Sequence, residues 1–253
     1  MIGKPIAMAS REWLYGCLRA GRHHWNQWRQ SYPQLSVDLS EVNLTGLDLG
    51  GYDLRGCNFS HSVLRLVNLR RATLCYANFY GADLHAANLE EADCTGALFY
   101  RAVGDRSTCQ RAILRLVNLQ QAQFQHADLA WAILEQADCR EANFRDADLS
   151  FAQATAADFK GGQLVAASLN DATLRFAQLD YASLEGVYAY RCNFQGASLT
   201  YAGLTKGYFA RALFVNANLS HAVCRWANFR HANLQGSCCD QTDFDHSSYY
   251  GDC

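Results

Sequence analysis

Long apolar runs are absent from this chain of 253 residues, and charged residues and prolines are scarce. No apolar run approaches the ~18 residues that a membrane-spanning helix needs. The opening residues, MIGKPIAMAS, lack the apolar core of a secretory signal peptide. Charged residues make up 18% of the chain and hydrophobic residues 50%, with two prolines in total, which agrees with a packed repeat domain. The sequence therefore predicts a soluble, cytoplasmic protein with no membrane span.

The motifs of common enzyme classes are also missing. The chain contains no G-x-S-x-G nucleophile elbow, no P-loop and no glycine-rich phosphate loop. His23 and His24 are adjacent, and adjacent side chains point apart on a helix, which disfavours a metal site there. The sequence therefore predicts a non-catalytic protein without a cofactor, a metal or a small-molecule substrate.

A spacing of five residues runs through the segment NLTGLDLGGYDLRGCNF, residues 43–59, where Leu44, Leu49, Leu54 and Phe59 recur. An α-helix repeats every 3.6 residues and a β-strand every 2, so neither element keeps such positions on one side. The spacing therefore requires a chain path that returns a side chain to the interior at every fifth residue.

The five-residue frame persists along the chain. Steps of five from residue 39 to residue 249 give 43 sites, of which leucine fills 23, phenylalanine 11 and cysteine five. Two residues earlier, alanine fills 27 of the 43 sites, and Asp or Asn stands at 21 of the sites between. The repeating unit is A-(D/N)-L-x-x.

This unit resembles the pentapeptide repeat along about four-fifths of the chain. The resemblance implies an all-β solenoid, a right-handed quadrilateral β-helix in which four pentapeptides make one square coil. In such a coil the large residue fills the axis and the small residue lies where the walls approach, while Asp or Asn bonds nearby backbone at the turn. The 43 units predict about eleven coils over residues 36–250 and, at ~4.8 Å per coil, a rod about 50 Å long.

One unit departs from the pattern, in the segment AVGDRSTCQ, residues 102–110. Gly104 is the only glycine among the 43 large sites. An axis position without a side chain leaves a void unless neighbours fill it. The sequence therefore predicts a local bend or bulge near residues 103–108.

The eleven cysteines follow the repeat and not a disulfide or metal pattern. Cys57 and Cys192 take the small inward position, and Cys238 with Cys239 forms an adjacent pair without zinc spacing. We expect buried, reduced thiols at the inward sites. Those at the large inward position are Cys94, Cys109, Cys139, Cys224 and Cys239.

Residues 1–35 carry no pentads and are predicted to form an N-terminal α-helical cap on the repeat domain. Ser10 is a suitable N-cap, with Glu12 in the first turn. An open β-helix end exposes unpaired backbone and its apolar axis, so a helix there would cover it; a helix that docks a partner is the alternative. The segment W-N-Q-W-R, residues 25–29, is similar to segments that precede the repeats in some bacterial members of the pentapeptide-repeat family, those from cyanobacteria. One helical stripe would carry Trp13, Leu14, Cys17 and Leu18.

Apolar exceptions among the polar outward positions indicate candidate partner-binding surfaces. Residues twenty apart should stack in one column if the coils are uniform. One face combines aromatic residues with arginines, the usual composition of interface hot spots. Its residues are Tyr188, Tyr190, Arg191, Tyr208 and Arg211, with Trp131 and Phe151 nearer the N-terminus, and the adjacent face carries Ile113, Leu116 and Ile133.

The first functional hypothesis is a regulatory or scaffolding module that binds another protein through these faces. The alternative is a DNA-mimicking inhibitor or protector of DNA gyrase, a topoisomerase. The resemblance implies that activity for fluoroquinolone-resistance members with a strongly acidic rod and a dimer joined through the C-terminal end. Here the net charge is only −2, although Asp138, Glu141, Asp158 and Asp180 fall on one face.

Two further expectations concern partners. Only four residues follow the last pentad, so a monomer or a weak dimer through the C-terminal end is expected. Nucleic-acid binding is disfavoured because the overall charge is slightly acidic and no basic groove is evident.

Overall fold

The computed structural model describes residues 11–248. Two short helices come first: α1 spans Arg11–Arg19 and α2 spans Arg22–Ser31. The remaining described chain is a regular succession of turns and single β-bridges, because each side of a coil contributes one bridging residue. Ser10, predicted as an N-cap, and residues 249–253 lie outside the described residues.

Each pentapeptide ends in a tight turn. In the unit around Leu69, the backbone N–H of Ala72 donates to the carbonyl of Leu69 at 3.0 Å, and Arg71 between them has a φ of 57°. A positive φ at the third turn residue alone is the pattern of a type II turn. From Glu41 to His246 every fifth residue has a φ between 53° and 69°. These positions are called corner residues below.

Four pentapeptides close one coil, since parallel bridges join residues twenty apart from Asp38 to Asp243. The N–H of Leu69 donates to the carbonyl of Asn88 at 2.7 Å, and the N–H of Asn88 donates to the carbonyl of Val67 at 2.9 Å. The repeat domain is therefore a solenoid β-helix in which side chains twenty residues apart stack in one column.

The large residues of the repeat fill the interior as predicted. Leu54 and Leu129 are completely buried. Phe59, Phe79 and Phe99 stack in one column, with successive ring centroids 5.1 and 4.6 Å apart. Because full burial of a leucine or phenylalanine contributes ~1.5–3 kcal/mol, every coil gains a similar apolar stabilisation.

The predicted bend at Gly104 is wrong. The N–H of Gly104 donates to the carbonyl of Gln123 at 2.6 Å, and the N–H of Ser107 closes the turn on the carbonyl of Gly104 at 3.0 Å, as in the other units. Phe124, one coil later in the same column, fills the space: a Cβ on Gly104 would lie 2.5 Å from its ring carbon Cε1. A neighbouring side chain removes the void, so the backbone keeps its regular path.

The Asp and Asn residues before the large position bond the turn, as predicted. The Oδ1 of Asn68 accepts the N–H of Arg70 at 3.1 Å, while its Nδ2 donates to Asp48 on the preceding coil at 2.8 Å. Such a side chain fixes its own turn and links two neighbouring coils.

The cysteines at inward positions behave as buried apolar residues, with one exception. Burial raises the pKa of Cys57, Cys109 and Cys224 to about 12, so these thiols stay protonated and unreactive at neutral pH. Cys239 is half-buried and disulfide-bonded, so the prediction of a buried, reduced thiol is wrong at that position.

The helices lie against the beginning of the β-helix. Leu14, Cys17 and Leu18 are buried, but Trp13, expected on the same stripe, is 45% exposed and meets the ring of Trp28 edge-on at 5.2 Å. Neither helix of the described residues is long and apolar enough to cross a membrane.

Side chains of α2 bond to the open edge of the first coil. Trp25 Nε1 donates to the carbonyl of Asp53 at 2.7 Å, and Arg29 Nη2 donates to the carbonyl of Arg55 at 2.6 Å. The Oδ1 of Asn26 accepts the N–H of Asp53 at 2.9 Å. In later coils the equivalent backbone groups bond to the coil before them, so these three side chains take the place of a preceding coil.

Candidate protein-binding surfaces

Corner residues carry many of the large apolar side chains that reach solvent. A left-handed φ costs a residue with a side chain ~1–2 kcal/mol, and glycine, which avoids that cost, holds other corners such as Gly96. Backbone conformation and exposure therefore both disfavour bulky apolar corners, which makes their presence informative. They are Leu66, Tyr76, Leu116, Trp131, Phe151, Phe176, Tyr181, Tyr201 and Trp226.

The first apolar surface, the tryptophan cluster, consists of Ile113, Leu116, Trp131, Ile133 and Phe151. The rings of Trp131 and Phe151 are nearly parallel, 5° apart, with centroids 4.2 Å apart, and the side chains are 50% and 40% exposed. Ile113 and Ile133 are half-buried and bridge each other on successive coils, and Leu116 is exposed at the next corner. The tryptophan cluster therefore occupies two neighbouring corners and the wall between them.

The second surface lies two coils beyond Phe151 along the same corner. Tyr188 and Tyr208 bridge each other and are 56% and 40% exposed, and the ring of Tyr190 lies 6.4 Å from that of Tyr208. This tyrosine–arginine face consists of Tyr188, Tyr190, Arg191, Lys206, Tyr208, Arg211 and Arg230. The structure therefore brings together the five residues that the sequence places here, and Lys206 and Arg230 border them.

Charge along the shared corner column differs between the two ends of the rod. Near the N-terminus, Arg71 Nε lies 2.6 Å from Glu91, and the hydrogen bond from Arg71 is the main reason that the pKa of Glu91 is lowered. Near the C-terminus, Arg191 pairs with Asp171 at 3.1 Å, but Arg211 forms no ion pair with a carboxylate of the described residues. The tyrosine–arginine face therefore carries positive charge that the fold does not neutralise.

A further aromatic ladder lies outside the residues singled out from the sequence. The rings of Tyr181 and Tyr201 are 5.1 Å apart, and those of Tyr201 and His221 are 4.5 Å apart, all nearly parallel. At the next corner, Trp226 stacks on His246 at 4.1 Å. The signal is present in the sequence, as ring side chains at corner positions twenty residues apart.

Three of the four acidic residues predicted on one face lie beside cations, and the fourth, Glu141, accepts a hydrogen bond from Gln121 Nε2 at 2.9 Å. Arg140 Nη2 lies 2.7 Å from Asp138 and its Nε 3.9 Å from Asp158, and Lys160 lies 3.8 Å from Asp180. Burial opposes the charged form of Asp138, but hydrogen bonds from Arg140 and Gln120 outweigh it and lower the pKa. This face therefore lacks the continuous negative charge of a nucleic-acid backbone.

Metal-binding groups are not clustered in the described part of the chain. Among residues 11–248, no three His, Cys, Asp or Glu side chains lie together where they could hold a metal ion. A small open hollow beside α2 is lined by Asp48, Asn68 and three arginines, Arg22, Arg70 and Arg71, all of which are exposed to solvent.

Comparison with protein families places the repeat in a known group. The family model described as pentapeptide repeats matches this chain in eight copies, over residues 38–74, 53–90, 82–121, 122–161, 167–206 and 208–247. No curated protein sequence matches the chain.

Solved structures with this repeat include HetL, a pentapeptide repeat protein involved in heterocyst differentiation regulation from the cyanobacterium Nostoc sp. strain PCC 7120. HetL is 26% identical, with a TM-score of 0.54, over 84% of this chain and 91% of HetL. A trypsin-treated variant of QnrB1, a plasmid-mediated fluoroquinolone resistance protein, is 18% identical, with a TM-score of 0.39, over 81% of this chain and 92% of QnrB1. Rfr23 from the cyanobacterium Cyanothece 51142 is 22% identical, with a TM-score of 0.19, over 55% of this chain and 91% of Rfr23.

Proposed function

This chain belongs to the pentapeptide-repeat family, and on that premise we propose that it is a non-catalytic regulatory or scaffolding module that binds another protein. The main support for this proposal is a set of exposed aromatic side chains that stack on one another over successive coils. They occupy corner positions where glycine would be less strained. The likeness to HetL, which is involved in the regulation of differentiation, supports a regulatory role.

A rigid wall is well suited to such binding. The backbone of the tyrosine–arginine face is hydrogen-bonded to the coils on both sides; for example, the N–H of Tyr208 donates to the carbonyl of Val187 on the preceding coil at 2.8 Å, and the carbonyl of Gly207 accepts from the N–H of Asn228 on the following coil at 2.8 Å. Tyrosine supplies a large contact area with few rotamers to freeze, so a partner that docks here loses little conformational entropy on the side of this chain.

The interior supports a binding role and not catalysis. The axis is filled by Leu, Phe and Cys side chains, and the thiols on it have raised pKa values because they are buried. A filled axis leaves no deep cleft in which a substrate could be desolvated. The outer wall of the β-helix is therefore the surface available for binding.

DNA mimicry is a weaker candidate for this chain. The carboxylates of the acidic face, Asp138, Asp158 and Asp180, lie beside Arg140 and Lys160. A mimic of the phosphate backbone needs uncompensated negative charge at regular spacing. The alternative of a DNA-mimicking inhibitor or protector of DNA gyrase therefore lacks its electrostatic basis at these three carboxylates.

We also propose a domain arrangement for this chain. In this proposal, residues 1–35 form the N-terminal cap and residues 36–250 form a right-handed rod of about eleven coils. The bonds from Trp25, Asn26 and Arg29 to the first coil support a capping role for α2. We further propose that the chain acts as a monomer or as a weak dimer through the C-terminal end of the rod.

Affinity capture from the native host tests the proposed function. We expect a protein to co-purify with the wild type in stoichiometric amount and to be lost from the double variant Tyr190→Ala/Arg191→Glu, whose melting temperature should stay within a few degrees of wild type. The matched control is Tyr76→Ala, an exposed corner tyrosine on another column. Equal capture by the folded double variant would remove the tyrosine–arginine face, and absence of any stoichiometric protein would contradict the proposed function itself.

A further inference from the structure

Acidic residues are missing from the whole tyrosine–arginine face. Three successive coils present the segments GVYAYR at 186–191, KGYFAR at 206–211 and WANFRH at 226–231. These segments contain Arg191, Lys206, Arg211, Arg230 and His231 but no Asp or Glu, in a chain with 24 acidic and 22 basic residues. The positive charge of this face is therefore local and is not a consequence of overall composition.

The cations of the face are left largely unpaired. Arg191 alone is neutralised, by Asp171 at 3.1 Å. Lys206, Arg211 and Arg230 make no ion pair with any carboxylate of residues 11–248. All three side chains are exposed. Their charges are thus available to a ligand.

Like charges are also stacked on one another. The N–H of Arg191 donates to the carbonyl of Ala210 at 3.1 Å, so the corner residues Arg191 and Arg211 follow one another at the coil spacing of ~4.8 Å. Like charges at adjacent cross-strand positions destabilise a sheet. An anionic ligand lying along the column would remove that repulsion.

Besides negative charge, the ligand needs apolar groups that match the apolar part of the face. Tyr188 and Tyr208 lie three residues before this column on the same wall, and their side chains are exposed. A ligand that matches both features carries carboxylates at intervals and apolar side chains between them. An extended polypeptide, with side chains alternating at each residue, has that arrangement.

We propose that the tyrosine–arginine face binds an extended acidic segment of a protein partner. Carboxylates of the segment pair with Lys206, Arg211 and Arg230, and its apolar side chains pack on Tyr188 and Tyr208. This inference rests on the proposed protein-binding function and adds the chemistry of the partner.

Single-stranded nucleic acid fits this face less well. Non-specific binders of nucleic acid combine aromatic side chains with a basic groove that tracks the backbone over several nucleotides. Here the basic patch spans three coils on a flat wall, and the adjoining face carries Glu185 and Asp245, which would repel a phosphate chain that ran past its edge. A short acidic peptide segment stays within the patch.

Peptide selection tests the inference with the full chain. A random dodecapeptide library displayed on phage is selected on the wild type, and the enriched peptides are measured by fluorescence anisotropy against Arg211→Glu/Arg230→Glu. We expect net-acidic peptides with interspersed apolar residues, whose affinity falls roughly tenfold or more in the double variant and weakens with salt. Arg111→Glu is the matched control, since Arg111 is an exposed arginine on the same corner column without a carboxylate partner in the described chain, and it should leave affinity unchanged.

The other outcomes separate the two proposals. Enriched peptides that are not acidic, or that bind the double variant as tightly as the wild type, would overturn the acidic-segment inference and leave protein binding intact. Failure to enrich any peptide would count against both the inference and the proposed function. A fluorescent oligothymidine that binds more tightly than the best acidic peptide, and that loses affinity in the same double variant, would overturn the inference in favour of nucleic acid.

Discussion

Inward and outward columns of this β-helix differ in how much their residues are free to vary. The large inward positions hold Leu, Phe or Cys at 39 of 43 sites, because each must fill the same axial space. Corner positions share one backbone conformation, yet they hold residues from Gly96 to Trp131 and Arg211. Since the fold constrains the corner only through its φ angle, the choice of side chain there is where selection for binding can act.

The largest expected effect comes from placing the same charge in each region. Leu129→Asp buries a carboxylate on the axis without a partner and should lower stability by about 4 kcal/mol or more, unfolding the neighbouring coils. Gln136→Asp, at the exposed corner of the next pentapeptide, should leave the stability nearly unchanged. Thermal melting followed by circular dichroism measures both, and a wild-type melting temperature for Leu129→Asp would contradict the assigned register.

A smaller effect is expected at Gly104, where one column compensates for a missing side chain. Gly104→Ala places a Cβ 2.5 Å from the ring of Phe124 and should cost ~1–3 kcal/mol by overpacking. Phe124→Leu should be less costly in the Gly104→Ala background than in the wild type, because the smaller side chain leaves room for the new methyl group. A double-mutant cycle from urea unfolding provides the test, and strictly additive costs would argue against this packing.

The corner conformation itself is tested at Ala156, an exposed residue with a φ of 58°. A β-branched side chain is strongly disfavoured at positive φ, so Ala156→Val should cost about 1–2 kcal/mol. Ala156→Gly should be neutral or slightly stabilising, since relief of strain opposes the greater entropy of the unfolded chain. The melting temperatures of Ala156→Val and Ala156→Gly measure this difference. Equal stabilities of the two variants would show that the corner imposes no conformational cost.

The smallest expected effect concerns a carboxylate on the outer wall. Burial opposes the charge of Asp180, but hydrogen bonds from Ser198 and Thr200 and the nearby Lys160 outweigh it and lower the pKa below the ordinary 3.8. The resulting stabilisation is complete above the ordinary pKa and is lost as the pH falls through the lower folded value. Asp180→Asn should therefore be less stable than wild type at neutral pH, and the difference should shrink below about pH 4.

Urea unfolding of wild type and Asp180→Asn at several pH values measures this difference. Gln136→Asn, at an exposed corner without a pH-sensitive group, is the control and should show no such trend. A stability difference that stays constant down to strongly acidic pH would contradict the lowered pKa.

Much of the fold could be predicted because one frame of five residues determines both inward positions. Leu54, Phe59 and the alanines two residues before each large site need no tertiary information to be placed inside. The regular backbone at Gly104 depends on the side chain of Phe124, which lies twenty residues later in the same column. The five-residue frame alone does not show this packing. The disulfide of Cys239 has no signal in the repeat, because a cysteine at that position is equally suited to burial.

The positions of some residues in the candidate surfaces also follow from the repeat, because residues twenty apart stack in one column. Column reading brings Tyr188 and Tyr208 together without a structure. It does not reveal that Asp171 neutralises Arg191 while Arg211 stays unpaired, since pairing depends on side-chain rotamers. The bonds from Trp25 and Arg29 to the first coil lie beyond sequence reasoning as well, because they depend on how α2 docks.

Site-specific photo-crosslinking in the native host tests most directly whether the tyrosine–arginine face is where this protein binds its partner. Benzoylphenylalanine is placed at Tyr208, in the centre of the face, and separately at Tyr76, an exposed corner residue on another column. We expect one protein to be linked at Tyr208 through an acidic segment and no specific product at Tyr76. Crosslinks at Tyr76 alone, or products at Tyr208 that contain nucleic acid and no protein, would contradict protein binding through this face.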